Sequence, residues 1–276
     1  TRTLRQRALR LPFKPIIMQA LAFVDLETSG STSGTDRITE IGIVTVDADG
    51  TVKTWEHLVN PETFIPPFIQ QLTGISNKMV ADAPVFSEVA DTVQTLLANR
   101  LFIAHNARFD YGFLLAEFKR LGISFHARVL CTVKLSRSLF PEHKKHNLDA
   151  LIERHDLHAD ARHRALADAQ LIHQFWQKIH VDRGIESVQA AIQSLNPHPN
   201  LPLHLEPAVD DLPSTAGSYR FLDEQSRILY ENTAKNIRKR VISHFAGKTR
   251  SPREASIIQQ VKSIEWSHAF TLENSC

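Results

Sequence analysis

Cysteine is scarce in this 276-residue chain, which has only Cys131 and Cys276. Two cysteines cannot build a disulfide framework, so we expect a reducing, cytoplasmic setting. Long apolar runs are missing as well. Although 42% of the residues are hydrophobic, no run is long enough to cross a bilayer, so we expect no membrane partner. The overall composition is that of an ordinary globular protein.

A large net charge is also absent. Lysine and arginine total 32 against 30 acidic residues, a net charge of +2, so the overall charge does not indicate the class of partner. Basic residues are nevertheless concentrated in two segments without acids, residues 1–15 and 232–253. Such segments are typical of a solvated surface or of contacts with phosphate groups, and the sequence leaves both readings open. The first segment belongs to a basic N-terminal tail, residues 1–18.

Proline content divides the chain. Four prolines in the twelve residues from Asn196 cannot continue a helix and indicate an extended linker. We therefore expect a large domain at 19–182, a helix and the proline-rich linker at 183–211, and a small domain at 212–276. No internal repeat is present.

Hydrophobic periodicity predicts an α/β large domain with a mixed sheet flanked by helices. Asp49-Gly50 is typical of the turn of a hairpin. The expected strands are 21–24, 40–48, 51–59, 101–104 and 129–132, and the expected helices are 68–72, 85–97, 110–121, 147–154 and 166–179. In the small α+β domain we expect a hairpin of 218–222 with 227–230, followed by a basic helix at 235–245.

Five side chains suggest a metal site. Asp25 and Glu27 end the first strand, where alternation points both toward the same face. Two adjacent carboxylates at the end of a buried strand repel each other and are costly to desolvate, and a cation between them removes both costs. Asp110 begins a helix after another buried strand, and Asp168 lies near the start of a later helix that follows His163. Any one of these acids alone is equally typical of a helix cap or a charged surface. Together, their oxygen ligands suit Mg²⁺ or Mn²⁺ rather than zinc.

Three segments carry these residues: Phe-Val-Asp-Leu-Glu-Thr-Ser-Gly at 23–30, His-Asn-Ala-Arg-Phe-Asp at 105–110, and His-Arg-Ala-Leu-Ala-Asp-Ala at 163–169. Their order resembles the DEDDh group of 3′-5′ exonucleases, typified by the proofreading epsilon subunit of bacterial DNA polymerase III. Segments 60–67 and 72–76 are similar too. The resemblance covers about residues 20–180 and implies an RNase H-like fold.

The resemblance implies release of nucleoside monophosphates from a 3′ end by a two-metal mechanism, in proofreading or repair. Asp25 would bridge two Mg²⁺ or Mn²⁺ ions, Glu27, Asp110 and Asp168 would complete their coordination, and His163 would be the general base. Phe109 is equally typical of core packing. By resemblance, the terminal nucleotide would be bound by Thr28, His105, Asn106 and Phe109.

The implied partners are single-stranded DNA or DNA 3′ ends, in association with the nucleoid and with a DNA polymerase subunit. RNA is an alternative substrate, because the catalytic motif is shared and discrimination of the 2′-hydroxyl is not legible in the sequence. A different class of function is a polymerase or repair accessory protein that uses its small domain for docking. The complete set of five residues argues against a role in binding alone.

The small domain resembles a second family through residues 212–223 and 229–241. This family is the GIY-YIG nuclease domain at the start of UvrC, the incision subunit of nucleotide-excision repair. By motif, Tyr219 and Tyr230 correspond to its two tyrosines and Arg240 to its catalytic arginine.

The small domain also departs from that family. Tyr-Ile-Gly-Lys of the family is Tyr230-Glu231-Asn232-Thr233 here, so the close backbone approach of glycine and the phosphate contact of lysine are lost. The family's metal-binding glutamate is expected shortly after 272–273, where this chain stops. We therefore expect a degenerate or truncated second site whose basic helix still contacts nucleic acid.

Overall fold

In the computed structural model, the chain is described at residues 19–159, 162–195, 201, 205, 209, 212–246 and 251–268. It forms two compact units, Thr1–Leu195 and Asn196–Cys276. The basic tail at 1–18 and most of the proline-rich linker lie outside the described residues. No helix of the described part combines the length and apolar character needed to cross a membrane.

A five-stranded sheet in the order β3-β2-β1-β4-β5 forms the centre of the first unit. Its strands are β1 (Leu21–Thr28), β2 (Ile38–Val46), β3 (Val52–Leu58), β4 (Leu101–Ala104) and β5 (Arg128–Cys131). The first three strands are antiparallel, whereas β4 is parallel to β1 and β5 is parallel to β4. The mixed sheet is therefore confirmed. The boundaries of β2 and β3, which form the expected hairpin, lie within two residues of those predicted.

Helices cover both faces of this sheet. They are α1 (Pro67–Thr73), α2 (Asn77–Val80), α3 (Phe86–Leu97), α4 (Arg108–Arg120), α5 (Thr132–Leu139), α6 (Leu148–His155), α7 (Ala165–Arg183) and α8 (Ile185–Leu195). Alternation in β1 divides the core, because Leu21 and Phe23 pack with residues of α5 to α8, and Ala22 and Val24 with residues of α3 and α4.

Two helices differ from the expectation. Thr132 begins α5, although the sequence suggested that it ends a strand, and its hydroxyl lies 3.3 Å from the Ala104 carbonyl that accepts its hydrogen bond. Helix α8 packs Val188, Ala191 and Ile192 into the core of the first unit, whereas the sequence grouped 183–211 with the linker. Helix α5 follows β5 without an intervening loop, so the sequence offers no turn signal between the strand and the helix.

In its described residues, the second unit contains a three-stranded antiparallel sheet in the order β7-β6-β8 together with helices. Its elements are β6 (Gly217–Leu222), β7 (Ile228–Ala234), α9 (Ile237–Phe245), α10 (Pro252–Gln260) and β8 (Ser263–His268). The expected hairpin and basic helix are present, so the small α+β unit is confirmed. Strand β8 and helix α10 were not anticipated.

Candidate active site

The carboxylates of β1 continue the face of the strand that packs against α7. Asp25 and Glu27 follow Leu21 and Phe23 at alternate positions, so they point to the side on which α7 lies. Asp110, 2% exposed, is in the first turn of α4, directly after β4. The backbone N–H of Leu26 donates a hydrogen bond of 3.2 Å to its Oδ1. Because β1 and β4 are parallel neighbours, their carboxyl ends bring these acids to the same edge of the sheet.

Helix α7 supplies the other side of the site, and β2 determines where it begins. The buried carboxylate of Glu40 accepts hydrogen bonds from Arg164 Nε at 3.0 Å and from the backbone N–H of Ala165 at 2.8 Å. A carboxylate is favoured at a helix N-terminus because it interacts with unpaired N–H groups and the helix dipole. Nearby, a Cβ at Gly42 would overlap the backbone of Ala165, so glycine permits this close approach.

The first turn of α7 brings three candidate ligands together. One ligand atom each from Glu27, His163 and Asp168 lie within 4.8 Å of one another. Asp168 is 6% exposed, whereas His163 is exposed to solvent. His163 also has a φ of +60°, a left-handed conformation that a non-glycine residue adopts at a cost of order 1–3 kcal/mol. Such conformations are concentrated at functional sites.

Burial and mutual repulsion perturb the acids. The pKa of Asp25 is raised well above its usual value, first by burial and then by the charges of Asp110, Asp168 and Glu27. Burial, followed by the charges of Asp168 and Glu40, raises the pKa of Glu27 to about 8. Burial likewise raises the pKa of Asp110 to about 7. A cluster of hard oxygen donors that disfavours its own ionisation fits a divalent cation, which would compensate this repulsion.

The protein itself places one positively charged side chain, that of Arg162, beside these acids. The Arg162 guanidinium donates a hydrogen bond to Asp168 and another, of 2.8 Å, to Asp149 Oδ1 on α6. Its charge lowers the pKa of Asp25 and of Glu27, although less than burial raises them. Arg162 therefore partly neutralises the cluster and links it to α6.

Two of the four expected nucleotide-binding residues line a common cavity of about 270 Å³. These are the exposed Asn106, whose φ is +65°, and the half-buried Phe109, which also packs against Phe113 with a ring separation of 4.9 Å. The full lining is Ser31, Ser33, Asn106, Arg108, Phe109 and Phe113. Polar groups around an aromatic face are suited to a nucleoside.

The other two expected residues do not line this cavity. The hydroxyl of Thr28 is buried and donates to the Gly30 carbonyl at 2.6 Å. His105 lies 3.0 Å from Thr132, measured from Nδ1 to Oγ1, and its Nε2 is buried without a hydrogen-bond partner in the described part of the chain. Burial, with the charge of Arg162, lowers the pKa of His105 to about 4. His105 is therefore neutral near pH 7 and does not supply a positive charge for phosphate.

Sequence reasoning missed Glu40, Arg162 and Arg164. The first lies in an ordinary buried strand, and its partner Arg164 is 124 residues away in the chain. No rule based on sequence spacing predicts a contact between residues this far apart in the chain. Charge alone offered a signal, since a glutamate among the apolar residues of β2 must have a partner.

The second unit brings its expected residues together around His244. The buried Tyr219 hydroxyl lies 2.7 Å from His244 Nε2, and His244 Nδ1 lies 2.8 Å from Glu254 Oε1. Tyr230 packs against the His244 ring with a centroid separation of 5.1 Å. Hydrogen bonding of Arg240 to Tyr219 raises the pKa of the arginine, and burial raises the pKa of Tyr219 to about 12. The sequence did not single out His244 or Glu254.

Residues 22–175 match the family model described as Exonuclease. The chain belongs to the exonuclease family. Residues 215–275 match the model of the UvrC-like GIY-YIG domain. The mixed sheet with flanking helices agrees with the RNase H-like fold of exonuclease structures, and family membership confirms the expectation of a hydrolytic nuclease that depends on divalent metal.

Two relatives and one solved structure illustrate the similarity of this exonuclease-family chain. The 3′-5′ exonuclease DinG of Staphylococcus epidermidis is 40% identical over 149 residues, 54% of this chain and 16% of that protein. A Mycobacterium tuberculosis protein, provisionally named a bifunctional exonuclease/endonuclease, is 33% identical over 256 residues, 88% of this chain and 39% of that protein. Exonuclease X in complex with 5′ overhanging duplex DNA is 29% identical with a TM-score of 0.51, covering 62% of this chain and 99% of that one. The chain thus spans less than half the length of either relative.

Proposed function

We propose that this chain is a 3′-5′ exonuclease that releases nucleoside monophosphates from DNA 3′ ends in proofreading or repair. The observation that supports it is the convergence of Glu27, His163 and Asp168 within 4.8 Å, near the half-buried Asp25 and the buried Asp110. The complex of exonuclease X with duplex DNA and the 3′-5′ direction in the name of DinG agree with this assignment.

Each residue has a role in this proposal. Asp25, Glu27, Asp110 and Asp168 would hold two Mg²⁺ or Mn²⁺ ions. When bound, two such ions supply activation of a water molecule and stabilisation of the leaving 3′ oxygen. His163 is exposed beside the carboxylates, where its imidazole accepts the proton of the attacking water. Asn106 and Phe109 bind the terminal nucleoside in their cavity.

The test uses matched DNA and RNA oligonucleotides labelled at the 5′ end, each with Mg²⁺, Mn²⁺ or EDTA. We expect stepwise 3′ shortening of the DNA that EDTA abolishes and that Asp25→Ala eliminates. Faster shortening of the RNA would instead assign an RNA-processing function. If neither strand is shortened, the remaining role is that of a polymerase or repair accessory protein with the second unit as docking module.

The general base is tested separately. His163→Ala should lower the rate of nucleotide release by about 10²–10⁴-fold, the usual contribution of general acid–base catalysis. The matched control is His158→Ala, because the His158 side chain is 78% exposed and pairs only loosely with Asp156, at 3.8 Å. Circular dichroism establishes that both variants are folded. Undiminished activity of the folded His163→Ala protein would exclude this assignment.

A further inference from the structure

A basic cavity of about 580 Å³ lies on α6, outside the carboxylate cluster. Three cationic side chains line it together with a single carboxylate. Its lining is His143, Lys144, Lys145, Ala150, Glu153 and Arg154. Both lysines are exposed, and within the described part of the chain neither forms an ion pair. The cavity therefore has an excess of positive charge that the protein itself does not neutralise.

A buried histidine holds in place the loop that carries the two lysines. His146 is 7% exposed, and its Nε2 lies 2.9 Å from the His143 carbonyl, which can only accept a hydrogen bond. On the other side of the ring, Nδ1 lies 2.8 Å from the Ser136 hydroxyl, so both ring nitrogens are engaged. This buried histidine therefore anchors the backbone of the loop that carries Lys144 and Lys145, and a loop ordered before the ligand arrives reduces the entropy cost of binding.

Arg154 closes the other side of the cavity. Its guanidinium donates a hydrogen bond of 2.6 Å to the Lys145 carbonyl and a longer one of 3.4 Å to Ser136 Oγ. Both acceptors are uncharged, so the positive charge of Arg154 is not cancelled by a carboxylate at these contacts. A rigid guanidinium beside two flexible ammonium groups is a suitable arrangement for successive phosphate groups.

The cavity is connected to the carboxylate cluster through α6. Asp149, the residue before Ala150 of the cavity lining, accepts a hydrogen bond of 2.8 Å from Arg162, which also binds Asp168. The two regions have opposite charge. An array of acids repels a polyanionic strand, whereas the neighbouring basic cavity attracts one.

We propose that this cavity binds the phosphodiester backbone of the substrate strand, on the 5′ side of the nucleotide being removed. The inference rests on the proposed exonuclease function for its substrate class. The ligand is the backbone of single-stranded nucleic acid, recognised by charge and without reference to base identity. Binding here would position a strand whose terminal nucleoside occupies the Asn106–Phe109 cavity.

The first measurement is fluorescence anisotropy of a labelled twelve-nucleotide oligo-dT with the full chain in EDTA, over a series of salt concentrations. Each phosphate contact on a single strand contributes roughly 0.7 to the slope of log K against log salt, so Lys144→Ala/Lys145→Ala should reduce the slope by about 1.4. Affinity should fall by about tenfold. The control is Lys53→Ala/Lys178→Ala, which removes the same charge from two lysines paired with Asp47 and Asp182. An unchanged slope in the first variant would overturn the proposal.

The second measurement separates a strand from a free nucleotide. Hydrolysis of the p-nitrophenyl ester of thymidine 5′-monophosphate involves no upstream phosphate, so its kcat/KM should be the same in the Lys144→Ala/Lys145→Ala variant and the wild type. With the oligonucleotide, KM should rise about tenfold at unchanged kcat. Equal losses with both substrates would overturn the backbone assignment in favour of a mononucleotide site. Absence of hydrolysis by the wild type would refute only the exonuclease function, because the anisotropy measurement does not require it.

Discussion

At the scale of single residues, the site is defined by acids whose simultaneous ionisation is energetically unfavourable. Glu27 has a pKa of about 8 and Asp110 one of about 7, in both cases mainly because of burial. The folded protein without metal therefore binds more protons between about pH 4 and 8 than the unfolded chain does, and its stability falls as the pH rises. A divalent cation binds the ionised cluster and reverses this loss.

This charge balance makes a prediction about stability. In EDTA, the melting temperature should drop by about 5 °C between pH 5 and pH 8, and addition of Mg²⁺ at pH 8 should restore it. Glu27→Gln should flatten the pH dependence, since it removes one of the titrating groups. Differential scanning calorimetry measures all three effects. A melting temperature in EDTA that rises over this pH range would contradict the carboxylate arrangement.

Sequence predicted the candidate ligands far better than the residues that support them. Asp25, Glu27 and Asp168 stand in short segments whose neighbours identify them without any knowledge of the fold. Glu40 and Arg162 act through partners that only folding brings near, and their own neighbours in the sequence are unremarkable. Only two of the four residues expected to bind the nucleotide line one cavity. Thr28 is hydrogen-bonded to the Gly30 carbonyl and His105 to Thr132.

At the scale of secondary structure, the site depends on the contact between β2 and the start of α7. Helix α7 carries Asp168 in its first turn, and the missing side chain of Gly42 allows that turn to reach the sheet. The position of this candidate ligand thus depends on a residue that has no functional group. A displacement of about 1 Å in such a site is enough to cost about 10²-fold in rate.

Gly42→Ala tests this dependence. The new methyl group would meet the backbone of Ala165 and Leu166, so we expect a loss of about 1–3 kcal/mol in stability and of at least about tenfold in nucleotide release. Urea unfolding and the oligonucleotide assay measure the two effects. Gly34→Ala is the control, since nothing lies within 4 Å of its added Cβ. Wild-type activity in Gly42→Ala would show that α7 is positioned by other contacts.

The sequence predicted most helices of the first unit, but length alone does not separate those it predicted from those it missed, since α5 and α6 both span eight residues. The expected helices at 85–97 and 147–154 agree with α3 and α6 within one residue. Helices α2 and α5 span only four and eight residues, and tertiary contacts stabilise them more than their own sequence does. Helix α8 was grouped with the linker because its apolar stripe ends shortly before the prolines begin.

At the scale of the whole molecule, two units that each match a nuclease family share one chain. The acids of the first site repel one another, whereas the polar side chains of the second site are hydrogen-bonded to each other. In the second unit, Tyr219 is buried and its hydroxyl is engaged with His244. Burial raises its pKa to about 12, so the phenol does not ionise near neutral pH. Glu231 stands where the family has an apolar residue and pairs with Arg220 at 2.9 Å. The engaged Tyr219 and the charged Glu231 fit the expectation of a degenerate second site, and the contact of the basic helix with nucleic acid stays a prediction.

Supercoiled plasmid distinguishes binding from incision. The full chain with Asp25→Ala, which lacks exonuclease activity under our proposal, should retard the plasmid in a gel and leave it supercoiled in the presence of Mg²⁺ or Mn²⁺. Arg240→Ala in the same background should weaken the retardation, because a phosphate contact is lost. Metal-dependent nicking that disappears with Arg240→Ala would instead establish a functional second nuclease.

The Arg162 guanidinium changes what a metal titration of this protein measures. Because Asp168 Oδ1 is already paired with Arg162, a metal ion that takes this oxygen atom would enter by exchange and release the salt bridge. The observed dissociation constant is therefore a ratio of two affinities. The hydrogen bond to Asp149 would keep the displaced guanidinium beside the site, so Arg162 remains available to compete with the metal ion for Asp168. In the proposed metal site, Arg162 would thus act as a competing cation at a fixed local concentration.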